Sequence, residues 1–310
     1  MLLTPQNRFG RQSTAYLSNW LTDVGLTHDG RSIDQVISLR FPSYAVRHSE
    51  HVCWLNHRMR EYYDLWPSFK KSLSYRGRLK EQVRRKLVHT VDHFLLTHNV
   101  KKLFAQSRTI QERLKRWGNL SSTVVYPPPP ERDYRCDEYG DYILVVSRLT
   151  SLKRINLVIK ALVEPEAAEV NCVIVGDGPE AARLKQQVAE CGLEQRIRFT
   201  GAVSEDKLIS EFARCRAVCF PAYQEDYGLV TVEAFASAKA VITCTDSGGP
   251  AELVRHGENG LVVTPEPKAI AKALRVMFEQ RDLAERLGVV AQREVTAFTW
   301  QQTLSQLLLV

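Results

Sequence analysis

From Tyr142 onward, short runs of apolar and often β-branched residues alternate with longer stretches in which apolar positions recur every three or four places. The runs ILVVS (143–147), NCVIVG (171–176), IRFTG (197–201), AVCFP (217–221), AVITC (240–244) and LVV (261–263) predict strands. The stretches between them, roughly 153–163, 179–190, 204–214 and 229–238, predict helices. Strand and helix in alternation build βαβ units on a parallel sheet. Such a sheet takes its ligands at the carboxyl ends of its strands.

Upstream, QVISL (35–39) and HVCWL (51–55) predict strands and 82–98 a helix, and 107–119 predicts a helix opened by Ser107 and stopped near Gly118. The first part of the chain is therefore also α/β. At 124–130, VVYPPPP runs a strand into four prolines, which continue neither a helix nor a central strand. This marks a boundary, and 310 residues is long for one core. The expected organisation is a first domain over 1–130, a second over 139–293 and a terminal helix over 294–310.

Composition narrows the class. An apolar fraction of 44% with 25% charged residues belongs to a globular chain. No apolar run reaches the roughly 18 residues of a membrane span, and MLLTPQNRFGR lacks the apolar core of a signal peptide, so a cytoplasmic protein is expected. The seven cysteines contain no CxxC pair, and Cys172, Cys219 and Cys244 fall in predicted strands, as buried thiols would. His89, His93 and His98 offer i, i+4 spacing on a helix but no partner ligands, so an ordinary helix face is expected there and no metal site.

Charge is lopsided. Residues 1–130 hold 21 Lys and Arg against 9 Asp and Glu, a net +12, whereas the remainder is −5. The densest stretch, Lys70 to Lys86, suits an anionic membrane surface or an acidic glycan; nucleic acid is not expected, because no binding motif accompanies it. A solvated helix face is the plainer reading.

The chemistry concentrates in EDYGLVTVEAF (225–235). Gly228 permits close backbone approach, and the helix opening at Leu229 presents unsatisfied N–H groups, which make an anion site. Glu225 stands in the loop ahead and Glu233 inside the helix. Two carboxylates beside an anion site make sense if each accepts hydrogen bonds from sugar hydroxyls, so a ligand with two polyol ends and a diphosphate centre fits. Arg148, at the end of one strand, and Lys153, at the start of the next helix, can neutralise that diphosphate without a metal. No Asp-x-Asp pair is present to hold a divalent ion. The turns GDGP (176–179), with Gly176 and Gly178, and DSGGPAE (246–252) would line the same cleft.

These residues resemble a family. The run 220–263, with VSRLTSLKRINLVIKAL and VIVGDGPE, is similar to the nucleotide-binding domain of glycosyltransferase family 4, the retaining group 1 enzymes of the GT-B fold, whose E-x7-E motif falls on Glu225 and Glu233. The resemblance implies two Rossmann-like domains facing across a cleft, with the terminal helix over 294–310, whose FTWQQTLSQLLL also resembles the family's, packing back toward the first domain. It further implies that Glu225 contacts donor-sugar hydroxyls, that Glu233 contacts the ribose and that Gly228 and Leu229 hold the diphosphate through backbone amides. Asp226 and Tyr227 complete that donor loop. His57, in a first lobe that matches through 38–66 and 107–128, corresponds to a cleft histidine facing the sugar. Glu225, His57, Arg148 and Lys153 are thus the expected catalytic set. No cofactor is implied beyond the nucleoside diphosphate sugar itself.

Relatives open with a strand, a glycine-rich loop and a helix, and nothing before Ile33 reads as that unit; Gly10 stands alone. The first domain is expected to lack its opening β-α unit, to leave a strand edge open and to self-associate through it. The expected function is metal-independent transfer of a hexose, with retention, to a glycan or lipid-linked acceptor, with the inner face of the membrane as the place where the basic lobe acts. The alternatives are a nucleotide-sugar-binding protein without turnover and a sugar-nucleotide epimerase.

Overall fold

A computed structural model describes residues 9–309, with side chains from 12 onward. The first eight residues of the segment considered above for a signal peptide lie outside the described residues. The described residues form two compact units, one of residues 9–127 with 300–309 and the other of residues 128–299.

In the first unit the order is α1 (Phe9–Leu21), β1 (Val36–Ser38), β2 (His51–Leu55), α2 (Trp66–Lys71), α3 (Tyr75–His98), β3 (Lys102–Ala105), α4 (Arg108–Gly118) and β4 (Thr123–Val124). The second unit contains β5 (Ile143–Val146), α5 (Ile155–Val163), β6 (Cys172–Val175), α6 (Ala181–Glu190), β7 (Ile197–Gly201), α7 (Glu205–Arg214) and β8 (Ala217–Cys219), then α8 (Leu229–Ala236), β9 (Val241–Cys244), α9 (Gly249–Leu253), β10 (Gly260–Val263), α10 (Pro267–Glu279) and α11 (Arg281–Val295). The last helix, α12 (Trp300–Leu307), belongs to the first unit.

The first sheet is parallel in the order β1-β2-β3-β4. Among the described residues β1 is its edge, and the side chain of Gln35 just ahead of it bonds the carbonyl of Leu307 (2.8 Å) and the amide of Leu309 (2.9 Å). Gly10 falls in α1, a helix that sequence patterning did not place. Polar residues interrupt the periodicity of α1, and what fixes it is tertiary: the Tyr16 hydroxyl donates to the fully buried Asp92 of α3. Tyr44 (2.5 Å) and Tyr63 (2.7 Å) donate to the same carboxylate. Burial pushes the Asp92 carboxyl up, against the lowering pull of Arg58 and the three hydroxyls. Ser107 caps α4 as expected, accepting from the Ile110 amide (3.1 Å).

The second sheet is also parallel, in the order β10-β9-β8-β5-β6-β7. From the first strand, β5, the chain winds outward through β6 and β7. It then returns to the other side of β5 as β8 and continues to β9 and β10. The switch point therefore lies between β5 and β8, where a doubly wound sheet opens a crevice at its carboxyl edge. The central strands β5, β6, β8 and β9 are buried on both faces, which is why they read as unbroken apolar runs, whereas the edge strands β7 and β10 are only partly buried. Cys172, Cys219 and Cys244 are buried free thiols, with burial raising Cys172 and Cys244 to about 12. In the second unit, element boundaries differ from the sequence reading by at most two residues, with β8 stopping at Cys219 and α8 at Ala236; in the first, α3 begins at Tyr75, seven residues ahead of the expected start at 82.

Candidate functional site

The loops leaving β5, β8 and β9 meet at the switch point. After β5 the backbone passes Arg148, makes a 3-10 turn over Ser151–Lys153 and enters α5 through Arg154, which is held in the left-handed region (φ 52°). The Arg154 guanidinium fixes this geometry. It donates to the Pro221 carbonyl (2.6 Å) after β8 and grips Asp246 after β9 with two bonds (2.8 and 2.6 Å). A single side chain thus ties three strand ends together, and Tyr223 N donates to the Leu152 carbonyl (2.7 Å) beside it.

Lys153 and Glu225 are brought into contact, Nζ donating to Oε2 at 2.6 Å, with both side chains largely buried. The backbone around Glu225 is fixed on both sides. Its amide donates to the Ser247 carbonyl (2.8 Å), and its carbonyl accepts from Gly249 N (3.0 Å). Gly248 and Gly249 are required by this fit: a Cβ on Gly248 would stand 2.4 Å from the Glu225 carbonyl oxygen, and one on Gly249 2.5 Å from Tyr227 Cα. The DSGGPAE turn therefore supports the EDYG loop from behind.

Gly228 (φ 83°) is the N-cap of α8, in the left-handed region that suits glycine. The Leu229 and Val230 amides donate to no acceptor among the described residues. Asp226 is half-buried and Tyr227 buried.

Glu233, inside α8, is buried and held by partners that sequence reasoning missed. Arg132 donates to its Oε1, and the Tyr134 hydroxyl donates to the same oxygen (3.0 Å). Oε2 takes part in neither bond. Burial raises the Glu233 pKa, partly offset by the Tyr134 hydrogen bond and the Arg132 charge. Arg132 and Tyr134 lie about a hundred residues away in sequence; the clue was a basic and aromatic cluster directly after the proline run.

Arg148 is exposed and makes no ion pair among the described residues. Gly176 and Gly178 act as packing positions for its loop. A Cβ at Gly176 would lie 1.9 Å from the Ser147 carbonyl oxygen and one at Gly178 2.5 Å from that of Leu149. His57 belongs to the first unit, half-buried after β2 at a cavity of about 20 Å³ that it shares with Arg58 and with Asp64, itself paired with Arg60 and Arg113. His89 stacks on Tyr63 at 4.2 Å and bonds the Tyr62 carbonyl, a packing role. A larger cavity of about 580 Å³ opens at the other edge of the second sheet, around Tyr142, Arg198 and Arg216, away from these residues.

Two parallel α/β units, the second wound about a switch point lined with cations, carboxylates and open helix amides, define a GT-B type protein. The chain belongs to the group 1 glycosyl transferases, whose family model matches residues 132–294. It is 29% identical over 176 residues to a D-inositol 3-phosphate glycosyltransferase of Nocardia farcinica, covering 54% of this chain and 39% of that protein. It is 30% identical over 230 residues to a GDP-mannose-dependent alpha-(1-6)-phosphatidylinositol monomannoside mannosyltransferase of Mycobacterium tuberculosis, covering 66% and 59%. The chain thus spans about two fifths of the inositol-phosphate enzyme's length. In structure it is similar to sucrose-phosphate synthase from Thermosynechococcus elongatus (TM-score 0.71, 20% identity, 88% and 71% covered). It is also similar to Anabaena Alr3699/HepE in complex with UDP and glucose (TM-score 0.62, 23% identity, 71% and 65% covered).

Proposed function

We propose that the protein transfers a hexosyl group from a nucleoside diphosphate sugar to a glycan or lipid-linked acceptor, with retention and without a metal. The observation that carries this reading is the joining of Lys153 to Glu225 at the β5/β8 switch point, beside the open amides at the head of α8. Cations and amides there suit a diphosphate, and carboxylates on either side suit hydroxyls. Arg148 and Lys153 would take the diphosphate charge together with the Gly228 and Leu229 amides; Glu225 would accept from the sugar; and Glu233, through Oε2, would accept from the ribose. In the reaction the bond from the anomeric carbon to the diphosphate oxygen breaks, a bond to the acceptor oxygen forms, and the acceptor proton leaves with the diphosphate. Fixed charges and dipoles aimed at the departing oxygen lower this barrier. The relatives named for glycosyl and mannosyl transfer, and the neighbour solved with UDP and glucose, support uridine and guanosine donors as the first to test.

Titration calorimetry with UDP- and GDP-hexoses tests the site. Arg148→Ala should weaken donor binding by roughly 10- to 150-fold, the loss of one charged hydrogen bond of about 1.5–3 kcal/mol. Unchanged affinity would remove Arg148 from the site. Transfer should survive excess chelator; complete loss restored by magnesium or manganese would overturn metal independence. Donor binding with no product on any acceptor would favour a binding protein instead.

A further inference from the structure

The solvent side of α3 is unusual for a helix packed in a globular unit. Val88, Asp92, Leu95 and Leu96 face the core, yet Tyr75, Leu79, Val83, Leu87, Val91 and Phe94 carry a second apolar stripe on the outside. Steps of three and four residues keep these six on one face. They are well exposed, Tyr75 to 86% and Leu79 to 66%. Exposed apolar surface organised along one element marks an interaction surface, unlike the scattered apolar residues of an ordinary exterior.

Charge identifies the occupant. Arg76, Lys80 and Lys86 lie on the same outer face, and Lys70 and Lys71 close α2 just ahead. All five are exposed, and none makes an ion pair among the described residues. Of the basic side chains on α3 that do have partners, Arg84 with Glu81 and Arg85 with the Tyr62 carbonyl point inward, and the exposed Arg78 bonds the Lys70 and Leu73 carbonyls ahead of the helix. No helix among the described residues is long and apolar enough to cross a membrane. An apolar stripe bordered by uncompensated cations is the arrangement of a helix lying in the headgroup boundary of an anionic bilayer.

We propose that the outer face of α3 is a membrane-docking surface, its apolar stripe seated among acyl chains and its cations on lipid phosphates. A second copy of the chain fits less well, because the same face repeated would set Arg76, Lys80 and Lys86 against their own charge. The proposal stands on α3 alone and does not depend on the donor site.

Vesicle sedimentation of the full chain tests it, using phosphatidylglycerol with phosphatidylcholine against phosphatidylcholine alone. The anionic vesicles should bind the protein far more tightly than the neutral ones at low salt. The triple variant Arg76→Gln, Lys80→Gln, Lys86→Gln should lower partitioning roughly a hundredfold at low salt. The variant Leu79→Ser, Val83→Ser, Leu87→Ser should abolish the binding that persists at about 0.5 M salt, where surface charge is screened within a few ångströms. Because these side chains are exposed, both variants should melt like the parent. Equal binding to both vesicle types, or binding indifferent to the serine variant, would overturn the proposal. So would light scattering that shows a parent dimer which the serine variant makes monomeric without altering vesicle binding.

Discussion

Glu233 shows how much of a site can depend on residues outside its motif. The spacing from Glu225 to Glu233 was legible in the sequence, but the groups that hold Glu233, Arg132 and Tyr134, are joined to it only by folding. Its pKa is raised because burial outweighs the Arg132 charge and the Tyr134 hydrogen bond. The folded protein therefore favours the protonated form more than the unfolded chain does. That stabilising contribution is fully present below the ordinary glutamate pKa of about 4.3 and is lost as pH rises through the raised value. Glu233→Gln has nothing to titrate at this position. The melting temperature of Glu233→Gln relative to the parent should thus climb with pH across that window and level off above it. Each tenfold difference in proton affinity between the folded and unfolded chains is worth about 1.4 kcal/mol of that gap. Thermal melts of both proteins from about pH 4 to 8 would decide. A gap that stays constant, or closes as pH rises, contradicts the raised pKa.

The strands and helices of the second unit were readable because each carries its own signal. Doubly buried strands are apolar runs, and the helices between them keep a clear period. The turns were only half readable. GDGP announces a turn, but not that Gly176 must pass so close to the β5 loop that a Cβ would strike the Ser147 carbonyl oxygen. Nor does LKRIN reveal that Arg154 is left-handed and clamps three loops. Gly176, at φ 128°, sits in a region that residues with side chains rarely adopt. Gly176→Ala should cost about 1–3 kcal/mol from the backbone alone, and it should also displace the Ser147–Leu149 loop and weaken donor binding through Arg148. Gly192 supplies the contrast, since it is also left-handed (φ 67°) but has open space where a Cβ would be. Gly192→Ala should lose about 1–2 kcal/mol of stability and leave donor affinity unchanged. Equal effects of the two variants on affinity would mean that the turn after β6 does not position the site.

At the scale of the whole molecule, the two units have separate cores. The buried cluster running from Ile143 to Leu287 lies wholly within residues 128–299. The first unit has its own clusters, and one of them, built on Val52, Trp54, Phe104 and Val125, is completed by Leu307 of α12. Trp300 adds an edge contact to Trp54 at 6.1 Å. The proline run signalled where the chain leaves the first unit; the return of the terminal helix toward that unit was expected only from the family resemblance, since a short helix of ordinary composition does not show it by itself. Leu307 is almost fully buried, so Leu307→Ala should cost the first unit about 2–5 kcal/mol by the usual cavity cost. No residue of that cluster belongs to the second unit. Two calorimetric transitions are expected for the parent, and the variant should lower one and leave the other in place. A fragment of residues 128–299 should reproduce the unmoved transition and bind donor, whereas 1–127 without α12 should expose the Trp54 face and aggregate unless a peptide of residues 300–310 is supplied. If Leu307→Ala instead lowers both transitions equally, the units unfold as one, and the division of the cores has no thermodynamic consequence.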